Sequence, residues 1–465
     1  MKLLATLTKG ELFPVKDIIA REIAKLKREI EKFFEEDEIG LDTAEEYFVH
    51  RIGETVRGLL TACYEQKDAQ LLADKTARKE AGLAVERRGD TRQVVTQLGI
   101  VSYRRTYYAC REGGYCYPID NVVGLESYQR VSNGVGLGLV NAAREMSYAR
   151  ASRVVTGGLV TKQTVMRKIR EAAPAAASVV RKKVAVLHVD ADEDHVKLQS
   201  GDSRIVPLVS VYEGIERNGK RGICKNVFHC SEFGKKTEDL WEEVLTEMER
   251  RYDLTDTKIY LHGDGASWIK AGLEWLPNSR FVLDRYHVNK ALKSAVSGIE
   301  RKSGCQYEYH LRQALNEGNR DYFCSVRDAL LIRWPEREKT ILEATNYLLS
   351  NFDAIYIYTT DPEARKGGAT EPHVSHVLSS RLSSRPVGWS PKTLKKLVPI
   401  LAAGQCTFCP PVLEETKSKR SAKKSLTTKA VQNSLGLPHP DMVASMPAKQ
   451  GKVTPLFRLL NTLCR

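Results

Sequence analysis

One stretch, Val184 to Gln199 (VAVLHVDADEDHVKLQ), limits what this chain can fold into more than any other. Its apolar first half, bounded by polar residues, reads as a buried strand. That strand runs into four acids, Asp190, Asp192, Glu193 and Asp194. Acids at the end of a buried strand are costly to bury unless a cation or a donor meets them. Chemistry that needs a divalent metal uses such an arrangement. Taken alone, the stretch reads sooner as a solvated turn between two hairpin strands. The rest of the chain decides between these readings.

The chain has 465 residues, enough for two to four domains, with 42% hydrophobic and 28% charged residues, as in a protein with real cores. A net charge of +14 and a pI near 9.2 point to a polyanionic partner, most often nucleic acid, although a basic housekeeping enzyme carries the same charge. No apolar run approaches the roughly 18 residues of a membrane span. The first residues, MKLLATLTKGELFPVKD, hold too short an apolar stretch for a secretory signal. The expectation is a cytoplasmic protein with no membrane partner, whose ten cysteines are reduced thiols.

Six segments follow from the pattern. Residues 1–80 read as a helical arm, with Ile18, Ile19, Ile23, Leu26, Ile30 and Phe33 at helical spacing. Residues 81–175 read as a DNA-binding region, a β hairpin followed by a helix-turn-helix. In the hairpin, Arg104, Arg105, Tyr107 and Tyr108 read either as phosphate and base contacts or as its outer face. Gly157 and Gly158 break one helix, and Thr161 stands as N-cap of the next. Early residues of such a second helix enter the major groove, so Lys162, Gln163 and Arg167 would face DNA while Val165, Met166 and Ile169 pack inward. The bland alternative is an αα-hairpin.

Residues 176–290 read β-β-β-α-β-α-β-α, a meander joined to two crossover strands, with Asp192 ending the first strand and Asp264 the fourth. That is the layout of an RNase H-like α/β fold, in which these two tips meet. Residues 291–368 read as a helical insertion, and 369–400 as a closing helix that supplies a third acid, Glu371, with Arg381 and Arg385 on the same helix to reach phosphates. Glu371 alone reads equally as a helix-start acid favoured by the dipole. Residues 401–465 read as a basic flexible segment. Its Cys406-x-x-Cys409 pair lacks a second pair and reads as thiols, and the lysine-rich run from Glu414 to Lys429 reads as a linker or a non-specific DNA contact.

The motifs ADEDHV, HGDGASWIK, LDRYHVNK and HVSHVLSSRLSSRPVGWS together resemble the DDE transposases of bacterial insertion sequences of the ISLre type, relatives of the Mutator-like superfamily. The resemblance implies metal-dependent cleavage at the ends of the element and strand transfer into target DNA. It implies Asp192, Asp264 and Glu371 as catalytic residues and as ligands of two Mg2+ (or Mn2+) ions. It also implies double-stranded DNA (terminal inverted repeats and target) as partner, and a homo-oligomer on that DNA. Asp284 and His287 occupy the place where Mutator-like enzymes keep a Cys/His motif. The rival readings are an RNase H-fold nuclease or resolvase, and a DNA-binding regulator without catalysis. Asp190, two residues before Asp192, is assigned a supporting role as an acceptor of backbone hydrogen bonds.

Overall fold

A computed structural model describes residues 13–35, 40–175, 178–219, 221–366 and 368–408. The chain is mixed α/β and divides into two compact units, one ending at Ala172 and the other running from Ala173 to Cys406.

In the first unit, helices α1 (Phe13–Phe33) and α2 (Leu41–Ala73) precede a hairpin of β1 (Leu83–Thr96) and β2 (Gly99–Cys110), edged by β3 (Tyr115–Cys116). The sequence separates a helical arm from the hairpin, but α2 lies along β2 and joins them. Thr61 Oγ1 donates to the Ser102 carbonyl at 2.9 Å, and Asp68 accepts from the N–H and the hydroxyl of Thr106 at 3.1 and 2.7 Å. Polar groups on the helix thus satisfy β2, which a free arm would not do.

Two of the four hairpin residues offered to DNA turn inward. Tyr108 is fully buried. Arg105 is buried in an ion pair with Asp120, which also accepts from Tyr103 Oη at 3.0 Å, and its guanidinium covers the Tyr117 ring. Arg104 stays exposed and pairs with Glu65 at 3.4 Å. Three helices close the unit: α3 (Asn133–Glu145), α4 (Tyr148–Thr156) and α5 (Lys162–Glu171). Ser132, Ser147 and Thr161 cap them, each side-chain oxygen accepting a backbone N–H at 3.3 Å. Gly157, at φ +60°, ends α4 in the left-handed conformation that glycine adopts without steric cost. Val165 and Ile169 are buried, while Met166 is only half-buried.

The second unit is built on a five-stranded sheet: β4 (Val186–Lys197), β5 (Ser203–Tyr212), β6 (Phe228–Cys230), β7 (Lys258–Gly263) and β8 (Ser279–Leu283). Its order is β6-β5-β4-β7-β8, with β4–β5 and β5–β6 antiparallel and β4–β7 and β7–β8 parallel. The first three strands therefore meander outward from β4, and the last two return on its other side through helices. Leu187, Val189 and Ala191 of β4 join Val209, Val211, Ile259 and Leu261 in one core, covered by Leu240, Trp241, Val244 and Met248 of α6 (Thr237–Arg251).

After β8 come α7 (Arg285–Ala295), α8 (Arg301–Glu317), α9 (Arg320–Arg333), α10 (Glu338–Ser350) and α11 (Phe352–Thr360). They share a separate core around Leu292, Leu311, Phe323, Leu330, Ile341, Leu348 and Phe352. Helix α12 (Thr370–Val374) follows and runs through a π-helical turn, Ser375–Ser379, to a last short turn, Ser380–Leu382. Helix α13 (Pro391–Ala403) closes the unit.

The Arg105–Asp120 pair gives a test of the first unit. Asp120→Ala leaves a buried guanidinium without its counter-charge and should cost about 3–5 kcal/mol in urea unfolding, whereas the double change Arg105→Met, Asp120→Leu should cost much less.

Candidate active site

The register of the parallel strands decides which acids meet. His262 stands beside Asp190 and Gly263 beside Leu283. Carried to the strand ends, those registers set Asp264 level with Asp192, and Asp284 level with Asp264. Three carboxylates thus form a rank. Asp264 and Asp284 lie just past the carboxyl ends of β7 and β8, and Asp192 lies midway along β4. That strand does not end at its acids as the sequence suggests but runs on to Lys197, held in the sheet by its pairing with β5.

Local donors hold each of them. Asp192 Oδ1 accepts from the Glu193 N–H at 2.8 Å, Asp264 Oδ1 from the Ala266 N–H at 2.8 Å, and Asp284 Oδ1 from the Tyr286 N–H at 2.6 Å, capping α7. Tyr347 of α10 donates its hydroxyl to the Asp264 carbonyl at 2.6 Å, tying the helical segment to the rank. Burial pushes the Asp192 carboxyl up to about 6; the charges of Asp264 and Glu193 add to the rise, and the Glu193 N–H and His287 oppose it. His287, in the first turn of α7, is therefore the imidazole that answers Asp192. Its buried Nδ1 has no hydrogen-bond partner among the described residues.

The four acids of the β4 cluster have four different surroundings. Asp190 is fully buried and accepts the Tyr212 hydroxyl at 3.1 Å through both oxygens and the Ala369 N–H at 2.7 Å. Burial, with the charge of Asp284, raises it to about 7 against those donors. Asp192 belongs to the rank. Glu193 turns to the opposite face and accepts from Trp268 Nε1 at 2.8 Å, and Asp194 accepts from the Ser383 hydroxyl at 2.8 Å.

Glu371 lies exposed in the first turn of α12, two residues beyond the Ala369 N–H that Asp190 accepts. His373, one turn along, places Nδ1 3.6 Å from Asp190 Oδ2 and Nε2 3.5 Å from Cys224 Sγ. Below this layer, fully buried His262 bonds His188 at 3.2 Å, and burial lowers the His262 imidazole to about 3.

Arg381 and Arg385 do not share one helix. The helix ends at Leu382, where Trp389 Nε1 takes the Leu382 carbonyl and draws the chain into a turn. Arg381 stacks over the Trp389 ring at 4.6 Å, and Arg385 sits exposed in the loop before Pro386. In the first unit Lys162, Gln163 and Arg167 are all exposed on α5, with Arg167 Nε 3.6 Å from Glu171. Cys409 and the run from Glu414 to Lys429 lie outside the described residues.

The donor set, being carboxylate oxygens, suits a hard divalent cation. Among the described residues, however, no three His, Cys, Asp or Glu side chains are gathered closely enough to hold a metal ion. Asp192 and Asp264 form the assembled half, and Glu371 stands on the adjoining helix. Tyr212, Tyr347 and the alignment of Asp284 were not legible in sequence, because each acts through a non-local pairing. Among the described residues no helix is long and apolar enough to cross a membrane.

The buried Asp190 carboxyl carries a pH prediction for metal-free protein. Its folded-state pKa is raised from 3.8 to about 7, so its contribution to stability is full below pH 3.8 and is lost as pH rises toward 7. Asp190→Asn should remove that loss. Its stability relative to wild type should rise between pH 4 and pH 8 in urea unfolding with chelator present, by a few kcal/mol at most.

Residues 35–407 match the family described as "Uncharacterised protein family (UPF0236)". A UPF0236 protein of Caldanaerobacter subterraneus subsp. tengcongensis, whose name joins eleven locus designations, is 35% identical over 465 residues, 96% of this chain and 97% of its own. A second from that organism, named with four loci, is 36% identical over 420 residues, 88% of each. A UPF0236 protein named for the region 3′ of vanSb in Streptococcus gallolyticus is 26% identical over 337 residues, 68% of this chain and 72% of its own.

Proposed function

The chain belongs to the UPF0236 family, and we propose that it is a DDE transposase with an RNase H-like core. It cuts the ends of its element and joins them to target DNA. The observation that carries this reading is the register of β4 and β7, His262 beside Asp190, which carried two residues on sets Asp264 level with Asp192, in a sheet whose strands run third-second-first-fourth-fifth. The relatives add support of a different kind. One protein name covering eleven loci of a single genome is the trace of a sequence that copies itself.

Two reactions of one type follow from this reading. Water attacks a phosphodiester at the element end, a P–O3′ bond breaks, and a 3′-hydroxyl is left. That hydroxyl then attacks a target phosphodiester, forming a new P–O3′ bond and releasing a target 3′-hydroxyl. Two Mg2+ or Mn2+ ions, when bound, supply the charge that activates the attacking oxygen and stabilises the leaving one. Asp192, midway along β4, and Asp264, just past the end of β7, would hold them, and Glu371 would complete the set from α12. His287 faces Asp192 and orients the oxygens around it. Helix α5 reads the terminal inverted repeats through Lys162, Gln163 and Arg167, while Arg381 and Arg385 contact phosphates. Two ends must be joined in one event, so the DNA-bound form is a homo-oligomer.

The test is end-specific cleavage of DNA carrying the terminal repeats, with Mg2+ or Mn2+. Asp192→Asn, Asp264→Asn and Glu371→Gln should each abolish cutting and leave repeat binding nearly intact. Asp190→Asn should retain measurable cutting. Wild-type protein that binds the repeats and never cuts them would overturn the enzymatic reading. If only Glu371→Gln stays active, the third position passes to Asp284.

Recognition is tested separately. Gln163→Ala and Arg167→Ala should each weaken binding to repeat DNA by about 1–3 kcal/mol and to random DNA much less. Equal losses on both DNAs would make α5 a phosphate-contacting helix only.

A further inference from the structure

Helix α12, which carries Glu371, spans only five residues, Thr370–Val374, before the π-helical turn. Even with the turns that continue it to Leu382, a helical segment of residues 370–382 is marginal by itself, and its first N–H groups need outside partners. Both ends of this segment are tied to β4. At the far end Ser383 bonds Asp194 at 2.8 Å. At the near end Gly368 and Ala369 present two successive N–H groups, one to Tyr212 Oη at 2.8 Å and the other to Asp190 Oδ2 at 2.7 Å. Gly368, at φ +95°, lets these amides converge, and successive amides so arranged form a concave anion site. Tyr212 spends both its proton and a lone pair here, donating to Asp190 and accepting from Gly368. It is fully buried, and its ring lies against His188 on one side and His373 on the other.

We propose that Tyr212 is a positioning residue: with Asp190 it forms a latch that fixes the start of α12 and so sets where Glu371 stands relative to Asp192 and Asp264. The part played by Glu371 rests on the transposase reading; the latch does not. Buried polar groups are costly where apolar packing would serve. Here they confer direction, since two amide hydrogen bonds fix the start of α12 as apolar contact does not. Displacement of a catalytic group by about 1 Å costs on the order of a hundredfold in rate, so such fixing has a functional return.

The experiment uses the full-length protein. Tyr212→Phe keeps the ring and removes the hydroxyl. Gly368→Ala disturbs the same amides by another route; the added Cβ meets nothing closer than His262 Nδ1 at 4.0 Å, so only the backbone conformation is strained. Tyr260→Phe is the control, a buried tyrosine of β7 that bonds Asp361 at 2.5 Å and lies outside the latch. Amide hydrogen exchange is followed by mass spectrometry without metal or DNA. Peptides covering residues 368–376 should exchange about tenfold faster in Tyr212→Phe and Gly368→Ala than in wild type or control, with β4 and α6 unchanged. Cleavage by Tyr212→Phe should fall about tenfold or more at unchanged repeat affinity. Unchanged protection of 368–376 in both variants overturns the latch, whatever cleavage does. Lost protection with full cleavage rate overturns the positioning role. Lost protection in a protein whose wild type never cuts DNA upholds the latch and overturns the transposase reading.

Discussion

Everything in the second unit depends on the two faces of β4. Leu187, Val189 and Ala191 enter the core under α6, so Leu187 to Ala191 sit buried at the centre of the sheet. The intervening positions carry His188, Asp190 and Asp192, and period-two geometry puts all three on the opposite face. A buried strand with an acidic face is stable only if something meets each acid. The surrounding structure does so unevenly: two groups, the Tyr212 hydroxyl and the Ala369 N–H, satisfy Asp190, while Asp192 has one backbone N–H, like charges beside it, and His287.

That unevenness separates structure from chemistry. A carboxylate with all its donors supplied is a fixed part of the scaffold. A carboxylate left at the rim with a single local donor still has oxygen lone pairs open to a cation or a proton. Asp190 and Asp192 are two residues apart on one face, yet the loop returning at Gly368 and Ala369 closes over the first and leaves the second at the rim. The helical segment α7–α11 serves the rim as well, through the Asp284 cap, His287 and Tyr347. Its core takes in Leu283 of β8 and meets the core of the sheet at Phe281, so the segment is anchored to the strand that leads into Asp284.

The sequence by itself determined the elements and the chemical types. Apolar alternation ending in acids marked β4. Thr161 and Gly157 marked the ends of two helices, because capping and left-handed turns depend on residues within a few positions of one another. Asp264 and Glu371 were legible as acids at element ends, and Lys162, Gln163 and Arg167 as an exposed helical edge; Asp192 reads as a strand end too, but β4 runs on past it to Lys197. What only the tertiary structure decided is everything set by pairing between distant segments. The parallel register brought Asp264 level with Asp192 and added Asp284 to the rank. Packing of α2 along β2 merged the arm with the hairpin and turned Arg105 and Tyr108 inward. The bond from Trp389 to Leu382 ended the helix before Arg385. Tyr212 met Gly368 across 156 residues. A one-residue slip of any strand would exchange its faces without changing its local sequence, so local sequence cannot encode these meetings; the summed burial of the whole core selects them.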